Sequence, residues 1–125
     1  MMRDEGYWEA VVGRVVRKKD KSPVKDAKVK AFDKDVMLDD SLGETITKGD
    51  GSFRIDFSQR SYAGPMSLAE GRPDIYLEIT DPEGSTTKTP VHYEMEGEME
   101  SSDDPVKKGP DGEIEVLSMG DVEID

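Results

Sequence analysis

Ala27-Lys28-Val29-Lys30-Ala31-Phe32-Asp33 is the stretch that decides the fold. Small or β-branched apolar residues take every second position, and lysines stand between them. That period of two puts Ala27, Val29 and Ala31 on one face of a strand and both lysines on the other. A strand with one apolar face belongs to a sheet with a core on one side and water on the other. Ser52-Phe53-Arg54-Ile55-Asp56-Phe57 repeats the pattern, with Phe53, Ile55 and Phe57 pointing inward.

Outward from these two strands the chain alternates between β patterns and turn signals. Tyr7 to Arg17 is rich in β-branched and aromatic residues and reads as the first strand, bulged at Gly13. Lys18-Lys19-Asp20-Lys21-Ser22-Pro23 is a charged turn. Leu42 to Lys48 and Ser52 to Phe57 predict a hairpin around Lys48-Gly49-Asp50-Gly51, because Asp-Gly tolerates positive φ. Residues 58–73 carry Gly64, Pro65, Gly71 and Pro73 and read as a loop, with room for a helical turn at Met66–Glu70. Asp74 to Thr80 is a strand, Asp81-Pro82-Glu83-Gly84 a turn, and Thr86 to Tyr93 the returning strand. Residues 94–112 are acidic, hold Pro105, Gly109 and Pro110, and read as a mobile loop. Glu113 to Asp125 is the last strand, interrupted at Gly120. The expectation is an all-β fold: a seven- or eight-stranded antiparallel β-sandwich, transthyretin (prealbumin)-like or immunoglobulin-like, in a single domain over residues 1–125.

Composition narrows the chemistry. The chain has 125 residues, no cysteine and a single histidine, His92. Disulfides are excluded, and so is a zinc site of the structural kind. The net charge is -12. Residues 1–30 carry nine Lys/Arg and five Asp/Glu, whereas residues 92–125 carry two and twelve. An acidic chain repels phosphate backbones and anionic lipid, so neither nucleic acid nor membrane is expected as a partner. The N-terminal MMRDEGYWEA has no apolar run, and no stretch is long enough to cross a bilayer. The chain as given reads as soluble and cytoplasmic, or as an excised module of a secreted protein.

The residues that alternate also carry a likeness. Val12-Gly13-Arg14-Val15-Val16, Pro23-Val24, Ala27 through Asp35, Asp40-Ser41-Leu42-Gly43-Glu44, Thr47, Gly49-Asp50-Gly51-Ser52-Phe53 and Pro73 through Ile79 follow one another in an order that resembles the transthyretin-like, or carboxypeptidase-regulatory-like, β-sandwich superfamily, in its bacterial module type. The resemblance covers roughly residues 8–93. It implies a sandwich and leaves function open. Enzymes of related architecture supply an inventory to compare. Hydroxyisourate hydrolases use several histidines and a C-terminal Tyr-Arg-Gly-Ser, whereas this chain ends Val122-Glu123-Ile124-Asp125. Intradiol dioxygenases hold iron with two tyrosines and two histidines, and one histidine cannot do that. His92, in Pro90-Val91-His92-Tyr93, has no nucleophile motif around it and reads as a strand residue.

These comparisons lead to three functional expectations, none of them enzymatic. The first is a non-catalytic binding or scaffolding module for a protein or carbohydrate partner. The second is a calcium-dependent binding domain that uses Asp33, Asp35, Asp39 and Asp40, since calcium takes six to eight oxygen ligands from clustered carboxylates. That run echoes the calcium loop of membrane-targeting signalling sandwiches. Its gap is one residue short, and only Asp20 and Asp26 could serve as the partner pair. A solvated turn whose carboxylates cap backbone N–H groups explains the same residues. The third is a self-associating structural protein, a homodimer through edge strands. No cofactor other than calcium is expected.

Overall fold

The structure is a computed structural model, and it describes residues 8–58, 72–109 and 111–125. The loop expected at 58–73, its helical turn at Met66–Glu70 and the start of the first strand at Tyr7 lie wholly or largely outside the described residues.

Eight strands form two four-stranded sheets that pack as a sandwich. They are β1 (Trp8–Arg17), β2 (Lys28–Asp33), β3 (Asp40–Ile46), β4 (Ser52–Ser58), β5 (Ile75–Thr80), β6 (Thr86–Lys88), β7 (Glu98–Ser101) and β8 (Glu113–Ile124). One sheet runs β4-β1-β8-β7 and the other β3-β2-β5-β6. The alternating positions read from the sequence face the core. Ala27, Val29 and Ala31 are fully buried, as are Ile75, Leu77 and Ile79 beside them on β5. Phe53, Ile55 and Phe57 close the core from the opposite sheet.

Three features depart from the expectation. The turn at Lys48–Gly51 forms, with the Gly51 N–H donating to the Lys48 carbonyl at 2.9 Å. It does not close a hairpin within one sheet: β3 pairs with β2, and β4 pairs with β1 in the other sheet. The turn residues reverse the chain, but the partner strands decide which sheet each arm joins. The second departure is the β1–β8 pair, which is parallel, whereas every other pair is antiparallel. Its extra residue sits on β8 at Met119–Gly120 rather than on β1 at Gly13, because Val12 and Arg14 oppose Ser118 and Asp121. Gly120 takes the positive φ of 65° that this bulge needs. The third is β7, a strand inside the segment read as a mobile loop. It lies antiparallel to the start of β8, with Glu98 opposite Val116 and Ser101 opposite Glu113. The returning strand is also shorter than expected. β6 stops at Lys88 ahead of Pro90, and the chain rejoins β5 only at the His92–Ile75 bridge.

Thr47 locks the β1–β2 connection onto the end of β3. Its buried hydroxyl donates to the Val24 carbonyl at 2.6 Å and accepts the Ala27 N–H at 2.9 Å. Thr47→Val keeps the shape and leaves both backbone groups unpaired. It is expected to lower stability by about 1–2 kcal/mol, read as a lower urea midpoint at unchanged slope.

Candidate functional site

The end of the sandwich where β2 and β3 meet the entry to β5 brings together Asp33, Asp39, Asp40 and Tyr76, all with perturbed ionisation. β2 ends on Asp33, and the core parity of the strand turns that carboxyl inward, where it is 8% exposed. Its Oδ1 accepts the Asp74 N–H at 2.8 Å. Burial pushes the Asp33 carboxyl up to about 6. The hydrogen bond from Asp74 opposes this, and repulsion from Asp74, Asp40 and Asp35 adds to it. Asp40 lies directly across the ladder from Asp33. Its carboxyl is also raised, by burial first and then by Asp35 and Asp39.

The loop between them, residues 34–39, uses its own acids as caps. Asp35 takes the N–H of Val36, and Asp39 Oδ1 takes the N–H of Asp35 at 3.0 Å. The Tyr76 hydroxyl donates to Asp39 Oδ2 at 2.5 Å. Those two hydrogen bonds, backbone first, hold the Asp39 carboxyl below the usual carboxylate range. Burial and the Asp39 carboxylate push the Tyr76 phenol up to about 12. On the outer face of the sheet the Tyr76 ring stacks on Phe32, with centroids 5.2 Å apart.

The four aspartates singled out in the sequence therefore share one loop, but their side chains serve different partners. Asp33 turns to Asp74, Asp35 and Asp39 cap the loop, and Asp40 stands beside Asp33. Among the described residues no group of three or more His, Asp or Glu is placed to hold a metal ion. His92 is exposed, and its backbone bonds Ile75 in both directions. Among the described residues no helix is long and apolar enough to cross a membrane.

A second set of groups was not singled out in the sequence. Glu9 on β1 and Glu115 on β8 are buried opposite each other on the core parity of their strands. The Arg72 guanidinium pairs with Glu115, and Glu115 Oε2 also accepts the Gly97 N–H at 2.8 Å. Two residues on, Asp74 is bonded to Asp33. The Arg72–Asp74 segment thus straps one sheet to the other across the end of the sandwich. Glu9 shares the parity of Val11 and Val15, but the alternation of Ile114 and Val116 turns Glu115 outward, so the sequence carried no signal of its burial; once buried, a glutamate demands a partner. The opposite end holds a cleft of about 920 Å³ beside Arg17 and Lys18. There Arg17 is already paired with Asp81 and Glu83.

No family model and no curated protein matches the chain. Solved structures do. A 9R-lipoxygenase from Cyanothece PCC8801 is similar over 99% of this chain and 17% of its own, at 15% identity and a TM-score of 0.56. Hydroxyquinol 1,2-dioxygenase from Pseudomonas putida DLL-E4 is similar over 100% of this chain and 59% of its own, at 14% identity and a TM-score of 0.58. Catechol 1,2-dioxygenase from Acinetobacter sp. ADP1 is similar over 96% and 53%, at 11% identity and a TM-score of 0.58. The chain thus spans less than two thirds of each of these proteins. At such identities the likeness is one of fold, and the fold is the β-sandwich that dioxygenases contain. This corrects the expectation of a non-catalytic binding or scaffolding module and the expectation that the chain is not an enzyme. The inventory behind those expectations tested a few known active sites, and the lack of those sets leaves other chemistry open.

Proposed function

We propose that this chain is an enzyme domain that transfers protons, with Asp33 as the acid–base group, on a hydroxylated aromatic substrate of the kind named by catechol and hydroxyquinol. The observation that carries this reading is Asp33 itself, an inward-facing carboxyl whose pKa of about 6 suits both giving and taking a proton near neutral pH. Asp40, raised as well, is its companion across the ladder. The substrate class comes from the names of the fold neighbours. An iron centre of two tyrosines and two histidines does not fit, because His92 is the only histidine in the chain and Tyr76 is engaged with Asp39. The reaction proposed needs no oxygen chemistry: Asp33 takes the proton of a ring hydroxyl and, after that proton exchanges with solvent, gives one to a ring carbon; it then removes the hydrogen that the carbon first carried and returns a proton to the ring oxygen. The same reading takes the sandwich as transthyretin-like, supported by the motif order from Val12 to Ile79.

Deuterium exchange tests it. With catechol or hydroxyquinol in heavy water, ring deuteration followed by NMR is expected to exceed the buffer rate. The rate should rise with pH through about 6 and return to the buffer level in Asp33→Asn. Exchange at the buffer rate across the pH range, or exchange untouched by Asp33→Asn, sinks the proposal.

A further inference from the structure

We infer that β7 is a docking edge for an extended basic peptide, which adds to the β4-β1-β8-β7 sheet as a fifth strand. β7 is the last strand of that sheet, and all four of its residues are exposed. An edge strand presents alternate backbone N–H and C=O groups outward, a ready template for another strand. On the opposite side of the sandwich the edges β3 and β4 shield each other: Ile55 Cγ2 lies 3.0 Å from the point where a side chain on Gly43 would begin. β6, the remaining edge, has only three residues.

The β7 edge is also held in place before any partner arrives. The Met95 N–H donates to the Pro73 carbonyl at 2.9 Å, and the Gly97 N–H donates to the buried Glu115. The strand that follows is thus presented in an extended form, which lowers the ordering cost of binding.

Charge selects the occupant. The period of two puts Glu98 and Glu100 on one face of β7 and Met99, 48% exposed, on the other. No ion pair of Glu98 or Glu100 occurs among the described residues. A second copy of β7 would set glutamate against glutamate, which is unfavourable across a ladder. A strand with Lys or Arg at alternate positions and apolar residues between them meets both faces at once. The occupant is therefore a basic, alternating, extended segment.

The test uses a capped ten-residue peptide of alternating Lys and Val, titrated into the 15N-labelled protein. Chemical-shift changes and slowed amide exchange are expected at residues 98–101. Binding should weaken at least tenfold in Glu98→Lys/Glu100→Lys, and that variant should instead take up the Glu-Val counterpart peptide. A Lys-Val peptide N-methylated at alternate backbone positions cannot complete the ladder, and it should lose binding to the same extent. The inference is overturned if the N-methylated peptide binds as well as the parent. It is equally overturned if the shifts gather at Asp33–Asp40 instead of β7, since either result is charge attraction without strand addition.

Discussion

Asp33→Asn is expected to raise the midpoint of thermal unfolding by roughly 8 °C at pH 8 and to change it little at pH 4. The folded-state pKa of Asp33, about 6, lies above the ordinary value of 3.8. The folded chain therefore binds this proton more tightly than the unfolded chain does. The stabilising contribution is fully present below pH 3.8 and is lost as pH rises through about 6. The gap between those two values is equivalent to about 3 kcal/mol. Water reaching the rim of the carboxyl reduces the gain expected from the neutral isostere to about 2 kcal/mol. The amide of Asn still offers an oxygen to the Asp74 N–H, so the strap is retained. Circular-dichroism melts of both proteins at the two pH values decide the matter. An equal shift at pH 4 and pH 8 would mean that packing, not charge, is responsible. Joined to the exchange experiment, the expected pair of results is a more stable protein without proton transfer. That is the trade-off found where a functional group is held in an unfavourable place.

Gly97→Ala is expected to destabilise the protein by about 3 kcal/mol, with β7 losing its amide protection first. A side chain at this position would begin 2.1 Å from the carbonyl oxygen of Val116 and 2.6 Å from its carbon. Both atoms are backbone, within the β8 strand, so no rotamer change relieves the contact. The chain at 95–97 must then move outward, which breaks the Gly97 N–H bond to Glu115 and weakens the support for Arg72. Gly49→Ala is the matching control, because nothing lies within 4 Å of its side-chain position and its φ is not positive. Hydrogen exchange and urea unfolding of the two variants separate the effects. A Gly97→Ala protein as stable as Gly49→Ala would show that the close approach to β8 is not maintained in solution.

Asp33 was singled out, but as one of four calcium ligands. Its neighbours Asp35 and Asp39 cap the loop, and Asp33 accepts the N–H of Asp74, some forty positions away. Gly97 lies in an acidic stretch where alternating Glu and Met replace the usual β-branched residues. Strand formation there depends on the partner β8 rather than on local preference. Glu115 was passed over because a glutamate ordinarily sits at the surface. The alternation of Ile114 and Val116 sets it on the outer parity of its strand, and only the packed sheets turn it inward.

By itself the sequence determined the fold class, the core and most of the strands. A period of two in apolar residues admits few other structures, and Ala27 to Ala31, Phe53 to Phe57 and Ile75 to Ile79 all carry it. The turns at Lys48–Gly51 and Asp81–Gly84 were local as well, written in residues that tolerate their backbone angles. Tertiary structure alone decided that β3 and β4 part to opposite sheets, that β8 runs parallel to β1, and that β7 exists. It also decided which of the clustered aspartates is buried. The physical reason is the same in each case. Strand pairing and desolvation are set by groups far apart in the chain, and local preference is blind to them until the sheets close.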